Sequence, residues 1–211
     1  MAARIVTLFQ TPVYTIALPD AAALNPPLRA AIATERQRVL GVSKSNVGGW
    51  QSTDDMLRWG GDAAAVLAAQ CVAAAERMTA DPSGRPASVR WQPEMWANVN
   101  RAGDSNQSHW HPGSYLSFVY YVDDGYAGSG DRQLGGELVF VDPRMPFLRM
   151  RTPDLRHRVA NGAVEEHETW VRPFSGLLIA FPSFLAHSVR PYRGEAERLS
   201  IAINLVARPP A

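Results

Sequence analysis

The stretch NQSHWHPGSYLSFVYYV, residues 106–122, decides how this chain reads. Two histidines separated by one residue open a run of aromatic and β-branched side chains, which is the composition of a strand. Side chains alternate faces in an extended segment, so His109 and His111 point the same way about 6.7 Å apart along the backbone. Both imidazoles can then reach one ion, while Trp110 points to the opposite face. A third ligand must come from elsewhere in the chain. Among five histidines, His187 follows a buried-looking apolar run in GLLIAFPSFLAHSV, whereas His157 and His167 sit in a polar segment without comparable strands. A lone H-x-H on a strand is more often a surface or core pair than a ligand pair. The C-terminal partner segment reverses that weighting, and the pattern predicts a metal held by His109, His111 and His187.

Outward from this stretch, the character of the chain changes at residue 88. SVRWQPEMWANVN, SYLSFVYYV, GELVFVDP, ETWVRP, GLLIAFP, HSVRPY and RLSIAINLVA are short β segments separated by Gly, Pro, Asp and Asn, the pattern of an antiparallel sandwich or barrel. Before them, Ile5 to Leu18 reads as one or two strands, with Pro12 placing them at an edge. Helices are predicted over Pro26 to Val39, with the proline pair at its start, and over Asp62 to Thr79, which is rich in alanine. The expected fold is α+β, a jelly roll with N-terminal helices packed outside. One domain spans 1–211, with a strand and helical flank at 1–87 and a jelly-roll core at 88–208 carrying an insert at 143–170. That insert is rich in Arg and Pro with a turn at Asn161-Gly162. It reads either as a solvated loop or as a substrate rim at the barrel mouth with its arginines facing the opening. The loop SKSNVGGWQSTDD reads as a connector anchored by Trp50 or as a cover over the site.

Composition narrows the function. The net charge of +1 offers no general attraction to nucleic acid or an anionic membrane, and 46% hydrophobic with 19% charged residues is ordinary for a globular protein. No run reaches the roughly 20 apolar residues of a membrane span. The single cysteine, Cys71, excludes an intrachain disulfide framework, favours the reducing cytoplasm, and reads as a buried filler of its helix. A small-molecule or peptidyl substrate is expected, and the sequence is compatible with a homodimer.

The last strand, RLSIAINL, supplies a second chemical handle. Arg198, Ser200, Ala202 and Asn204 share one face, and Leu199, Ile201, Ile203 and Leu205 the other. With the apolar face packed on a neighbouring layer, Arg198 and Ser200 point into the cavity that holds the metal. A guanidinium there wants an anion, because its planar fork matches a carboxylate and an unpaired buried charge is costly. A small dicarboxylate chelating the metal and meeting Arg198 at its far end satisfies both demands.

The combination of H-x-H, YYVD with Tyr121, GGELVF over Gly135 to Phe140, and His187 followed eleven residues on by Arg198 resembles the Fe(II)/2-oxoglutarate dioxygenases. The likeness is to the prolyl-hydroxylase-like side, and WANVNRAGDSNQSHWHPGS with FPSFLAHSV is similar to a bacterial branch of these oxygenases. The resemblance implies a double-stranded β-helix core and a reaction with Fe(II), 2-oxoglutarate and O2 that yields succinate and CO2. It also implies iron on His109, His111 and His187, and the far carboxylate of 2-oxoglutarate on Arg198 with Tyr121 and Ser200. Asn98, Asn100 and Asn106 read either as co-substrate or water contacts or as turn residues. One departure stands out: His111 occupies the usual carboxylate position, so the site has three neutral ligands and one more positive charge, which should hold anionic substrates well. Cupins share the barrel, and Gly103 to His111 and Gly176 to His187 fit their spacing, but the glutamate expected after H-x-H is missing. A barrel that binds metal or ligand without catalysis is the third reading.

Overall fold

The computed structural model describes residues 5–6, 8–145, 154–160 and 162–210. Strand β1 (Tyr14–Ala17) is followed by helix α1 (Ala21–Arg38), the short strands β2 (Asn46–Val47) and β3 (Trp50–Gln51), the one-turn α2 (Met56–Trp59) and α3 (Gly61–Met78). The remaining strands are β4 (Arg90–Asn100), β5 (Ser105–His109), β6 (Leu116–Asp123), β7 (Leu138–Val141), β8 (Glu168–Val171), β9 (Leu177–Pro182), β10 (His187–Val189) and β11 (Arg198–Arg208). They form two antiparallel sheets, one in the order β1-β9-β6-β11-β4-β3 and one in the order β2-β5-β10-β7-β8. This is the jelly-roll arrangement expected from the strand spacing.

The period-two pattern of β11 sets the layers. Its apolar face, Leu199, Ile201, Ile203 and Leu205, is buried in one cluster with Leu24, Leu28 and Ile32 of α1 and Leu67 and Cys71 of α3. Fully burying each such side chain contributes about 1.5–3 kcal/mol, and this is what fixes the helices to the outside of the larger sheet. The buried face of α3 is Ala64, Leu67, Ala68, Cys71, Ala74 and Ala75, and its small residues let the helix lie close to the strands. Cys71 is the filler its position suggests, with burial pushing the thiol well above the usual range.

Two boundaries differ from the sequence reading. Helix α1 starts at Ala21, so Pro26 and Pro27 lie inside it. Each proline removes one intrahelical donor, but Leu24 and Leu28, one turn apart, are both buried across the proline pair, and that tertiary burial outweighs the local cost. Among the described residues of the N-terminal segment only Tyr14–Ala17 is a strand, at the sheet edge against β9. Pro93 sits within β4 opposite Leu205, but β3 pairs with β4 only at Val99 and Asn98, so the missing donor of Pro93 faces an unpaired edge.

Candidate metal centre and its cavity

His109 closes β5 and His187 opens β10, and the two are register partners across the smaller sheet. His187 also faces Phe140 of β7. His111 lies two residues beyond β5, where its backbone N–H donates to the Ser183 carbonyl at 3.0 Å. Ring centroids are 4.3 Å apart for His109 and His187, 5.0 Å for His109 and His111, and 5.1 Å for His111 and His187. One donor nitrogen from each falls within 4.8 Å of the others. The alternation argument therefore brings the right pair together, although His111 itself stands past the strand end.

The ring environment prepares these nitrogens for a cation. His109 Nδ1 lies 2.8 Å from the Gln107 carbonyl and His187 Nδ1 lies 2.9 Å from the Leu185 carbonyl, each two residues upstream. A carbonyl only accepts, so Nδ1 carries the proton in both rings and Nε2 presents its lone pair. Burial holds His109 below its ordinary value, and burial with the neighbouring His109 pushes His111 down to about 4 and His187 down to about 3. All three are neutral at pH 7, the form that ligates. No carboxylate joins them among the described residues. Asp104 accepts from the Arg101 backbone, Asp123 pairs with Arg29, and Glu137 lies between Arg190 and Arg172. Three neutral imidazoles, His187 buried and His109 and His111 half-buried, two of them with the tautomer that frees Nε2, fit a divalent first-row ion such as Fe(II).

The triad opens into a cavity of about 540 Å³ between the sheets. Its floor follows from strand register. Along β11, Ser200 is flanked by Asn98 and Tyr121, Ala202 by Trp96 and Val119, and Asn204 by Glu94 and Ser117. All of these line the cavity, with Arg198 at the inner end. Arg198 is 1% exposed, has no carboxylate partner among the described residues, and places its Cζ 5.0 Å from the Tyr121 ring centroid. Its Nε and the Tyr121 hydroxyl are both buried without a hydrogen-bond partner. Burial pushes the Tyr121 phenol up against the opposing pull of Arg198, so it stays protonated and able to donate.

The asparagines divide. Asn98 lines the cavity. Asn100 does not reach it and instead accepts from Arg198 Nη1 at 3.3 Å, because it is the register partner of Arg198. Asn106 lines the cavity but donates to Ser45 Oγ at 3.2 Å, and that oxygen is 3.4 Å from His109 Nε2. Sequence reasoning passed over Ser45, Lys44 and Gln51, which line the cavity from the 42–54 loop. Both readings of that loop hold at once: Trp50 is buried and donates its indole N–H to the Val39 carbonyl at 3.1 Å, while its neighbours cover the site. Trp110, 58% exposed, stands at the rim.

The described residues of the 143–170 insert stand away from the mouth of this cavity. None of its described residues lines it. Pro143, Arg144, His157 and Arg158 border a separate depression with residues of the N-terminal segment, and residues 146–153 lie outside the described residues. Arg144 is held by Asp142 and Glu165 and does not line the cavity of the triad. The turn expected at Asn161-Gly162 is flanked by a bridge between Arg158 and Val164; Asn161 lies outside the described residues. Among the described residues no helix is long and apolar enough to cross a membrane.

Residues 94–204 match the family described as "Putative 2OG-Fe(II) oxygenase". The chain belongs to this family, whose members are enzymes that use Fe(II), 2-oxoglutarate and O2. Among solved structures it is similar to a Pseudomonas putida prolyl-4-hydroxylase, with a TM-score of 0.63 and 17% identity over 94% of this chain and 93% of that one. It is also similar to a Trichoplax adhaerens prolyl hydroxylase in complex with a hypoxia inducible factor peptide, at 0.63 and 15% over 92% and 83%. A third, HygX from Streptomyces hygroscopicus with nickel and 2-oxoglutarate bound, gives 0.59 and 15% over 92% and 82%. These likenesses carry the double-stranded β-helix fold. No curated protein matches the chain.

Proposed function

We propose that this oxygenase holds iron on His109, His111 and His187 and takes 2-oxoglutarate with its far carboxylate on Arg198, oxidising a C–H bond of a small molecule or peptidyl side chain. The observation that carries the reading is Arg198, buried and without a carboxylate partner, with its Nε and the Tyr121 hydroxyl both lacking a bond. A buried guanidinium left uncompensated is strongly unfavourable, and a carboxylate arriving there takes the fork and the phenol together. Bound iron and 2-oxoglutarate supply the O2-derived oxidant, with succinate and CO2 as co-products.

The chain's own residues do the rest. The backbone carbonyls of Gln107 and Leu185 fix two ligand tautomers, so those Nε2 atoms meet the ion with no proton to shed. Asn100 holds one guanidinium nitrogen and orients the fork. Ser200, one step along β11 from Arg198 and paired with Tyr121, adds a hydroxyl for the same carboxylate. Asn98 and Asn106 present amides to co-substrate or water. Nucleic acid and membrane have no part in this reading, the setting is the cytoplasm, and a homodimer is compatible with it. A cupin or a plain metal binder would leave Arg198 without purpose in the cavity.

Anaerobic titration of the Fe(II)-loaded protein with 2-oxoglutarate tests the assignment. Removing one partner of a buried charged pair costs about 2–5 kcal/mol, so Arg198→Ala should weaken 2-oxoglutarate roughly 30-fold or more while iron content stays unchanged. Arg198→Lys keeps the charge without the fork and should fall between. Equal affinities for wild type and Arg198→Ala would overturn the co-substrate assignment.

A further inference from the structure

The cavity changes sign along its length. From Arg198 to Asn204 the cavity face of β11 takes three two-residue steps, about 20 Å in all. The inner end is cationic, with Arg198, and the metal site farther along the cavity has no carboxylate among the described residues. The next step is hydroxylic, with Ser200 and Tyr121. The third is apolar, with Ala202, Val119 and the Trp96 ring, whose edge contact with His111 (5.6 Å between centroids) places this step beside the triad. At the outer end Glu94 is the register partner of Asn204, and Asp54 joins it on the wall, brought there by the hydrogen bond from Met95 N–H to the Asp54 carbonyl at 3.1 Å.

Neither outer carboxylate forms an ion pair among the described residues, and Lys44, on the other limb of the loop, pairs with neither. Beneath them Asn204 is 6% exposed. Its Oδ1 accepts from Ser117 Oγ at 2.8 Å, and its Nδ2 has no partner among the described residues. Ser117 Oγ lies 2.8 Å from Ser183 Oγ, and either hydroxyl can donate. This hydroxyl pair can reverse its polarity, so the Asn204 amide can turn either its nitrogen or its oxygen toward a ligand. The inner positive charges are answered by the 2-oxoglutarate dianion. The outer pair of acids is answered by no cationic side chain among the described residues.

We infer that the outer end takes the cationic group of the primary substrate, so that the substrate class is an alkylammonium: a positive nitrogen against Glu94 and Asp54, and an aliphatic segment lying on the Ala202 step beside the triad. The inference rests on the co-substrate reading above, since it is 2-oxoglutarate that fills the inner end. The spacing of one step puts the oxidised carbon about 6–7 Å from the nitrogen. The Trp110 ring at the rim supplies a cation–π face on the way in. A three-histidine metal site taken alone favours anions, and that preference is spent on the co-substrate.

Calorimetry on the Fe(II)- and 2-oxoglutarate-loaded protein under anaerobic conditions tests this with three probes of one length: n-butylammonium, n-butanol and n-butyrate. The ammonium should bind about tenfold or more tighter than the alcohol, with butyrate weakest. The double variant Asp54→Asn, Glu94→Gln should lose the preference, and Glu94→Lys should turn it toward butyrate; both positions are exposed, and 2-oxoglutarate affinity checks that each variant is folded. The wild-type comparison stands even if a variant fails. Alcohol bound as tightly as ammonium, no probe bound at all, or a preference surviving in the folded double variant overturns the inference. If wild type does not bind 2-oxoglutarate, it is the co-substrate reading that falls first.

Discussion

Strands β11 and β10 each deliver a side chain on which the site depends, Arg198 and His187, from opposite kinds of scaffold. β11 runs in unbroken register with β4 from Arg198 opposite Asn100 to Arg208 opposite Arg90, and pairs with β6 on its other side with one register shift, between Leu199 and Ser200. β10 spans only His187–Val189, and its register with β5 shifts between those two residues. The larger sheet is backed by the helices and the main apolar cluster, whereas the site's smaller sheet shares a second cluster built around Leu138, Phe140, Phe181 and Leu185. A buried guanidinium must be held in place before its anion arrives, which requires a rigid strand. Metal ligands can sit on a weaker one, because the ion itself cross-links them.

This contrast breaks first if truncation in β11 is cheap. Ile201 is fully buried against the helices, and Ile201→Ala should cost about 2–5 kcal/mol in urea unfolding, with or without metal. A middle-sized effect comes from pH in the metal-free protein. Burial puts His187 at about 3 in the fold against 6.5 for the free side chain, so below 6.5 the unfolded chain binds the extra proton. Stability is then fully present above pH 6.5 and falls as pH drops toward 4, by at most about 1.4 kcal/mol per pH unit from this residue. Urea midpoints between pH 7 and 5 should show the loss, and His187→Gln should make it shallower, with His109 and His111 keeping their own share. The smallest effect sharpens the comparison most. Val189→Ala, at a half-buried position of β10, should cost about 1 kcal/mol, less than Ile201→Ala, and saturation with Ni(II) should raise the urea midpoints of wild type and both variants together.

The parity of His109 and His111 and the two faces of RLSIAINL were readable because alternation is a local property of a strand. Helix α3 was readable for the same reason. What stayed hidden depends on register between distant segments. Glu94, Asn204 and Ser117 meet only because β4 and β6 align on β11, and Asn100 is claimed by Arg198 through that same alignment rather than by ligand. Ser45 reaches His109 from a loop whose composition left connector and cover both open and singled out none of its polar residues. The start of α1 escaped because burial of Leu24 and Leu28 overrides a local proline signal. For the described part of the insert the expectation failed because arginine density gives no direction, and Arg144 finds its carboxylate in Asp142, two residues away.

The pairing of His187 with His109 closes a loop of almost eighty residues, and this has a kinetic side. Contacts so distant in sequence form late and slowly in β-rich chains, so the unfolded protein offers an ion at most the local H-x-H pair. An ion that recognises only the closed triad lowers the energy of the native state more than that of the barrier. It should therefore leave the refolding rate nearly unchanged and slow unfolding instead, a split that stopped-flow measurements with and without Ni(II) would resolve. Occupancy of the centre then sets the lifetime of the native state, and removing the ion shortens that lifetime before it alters the fold.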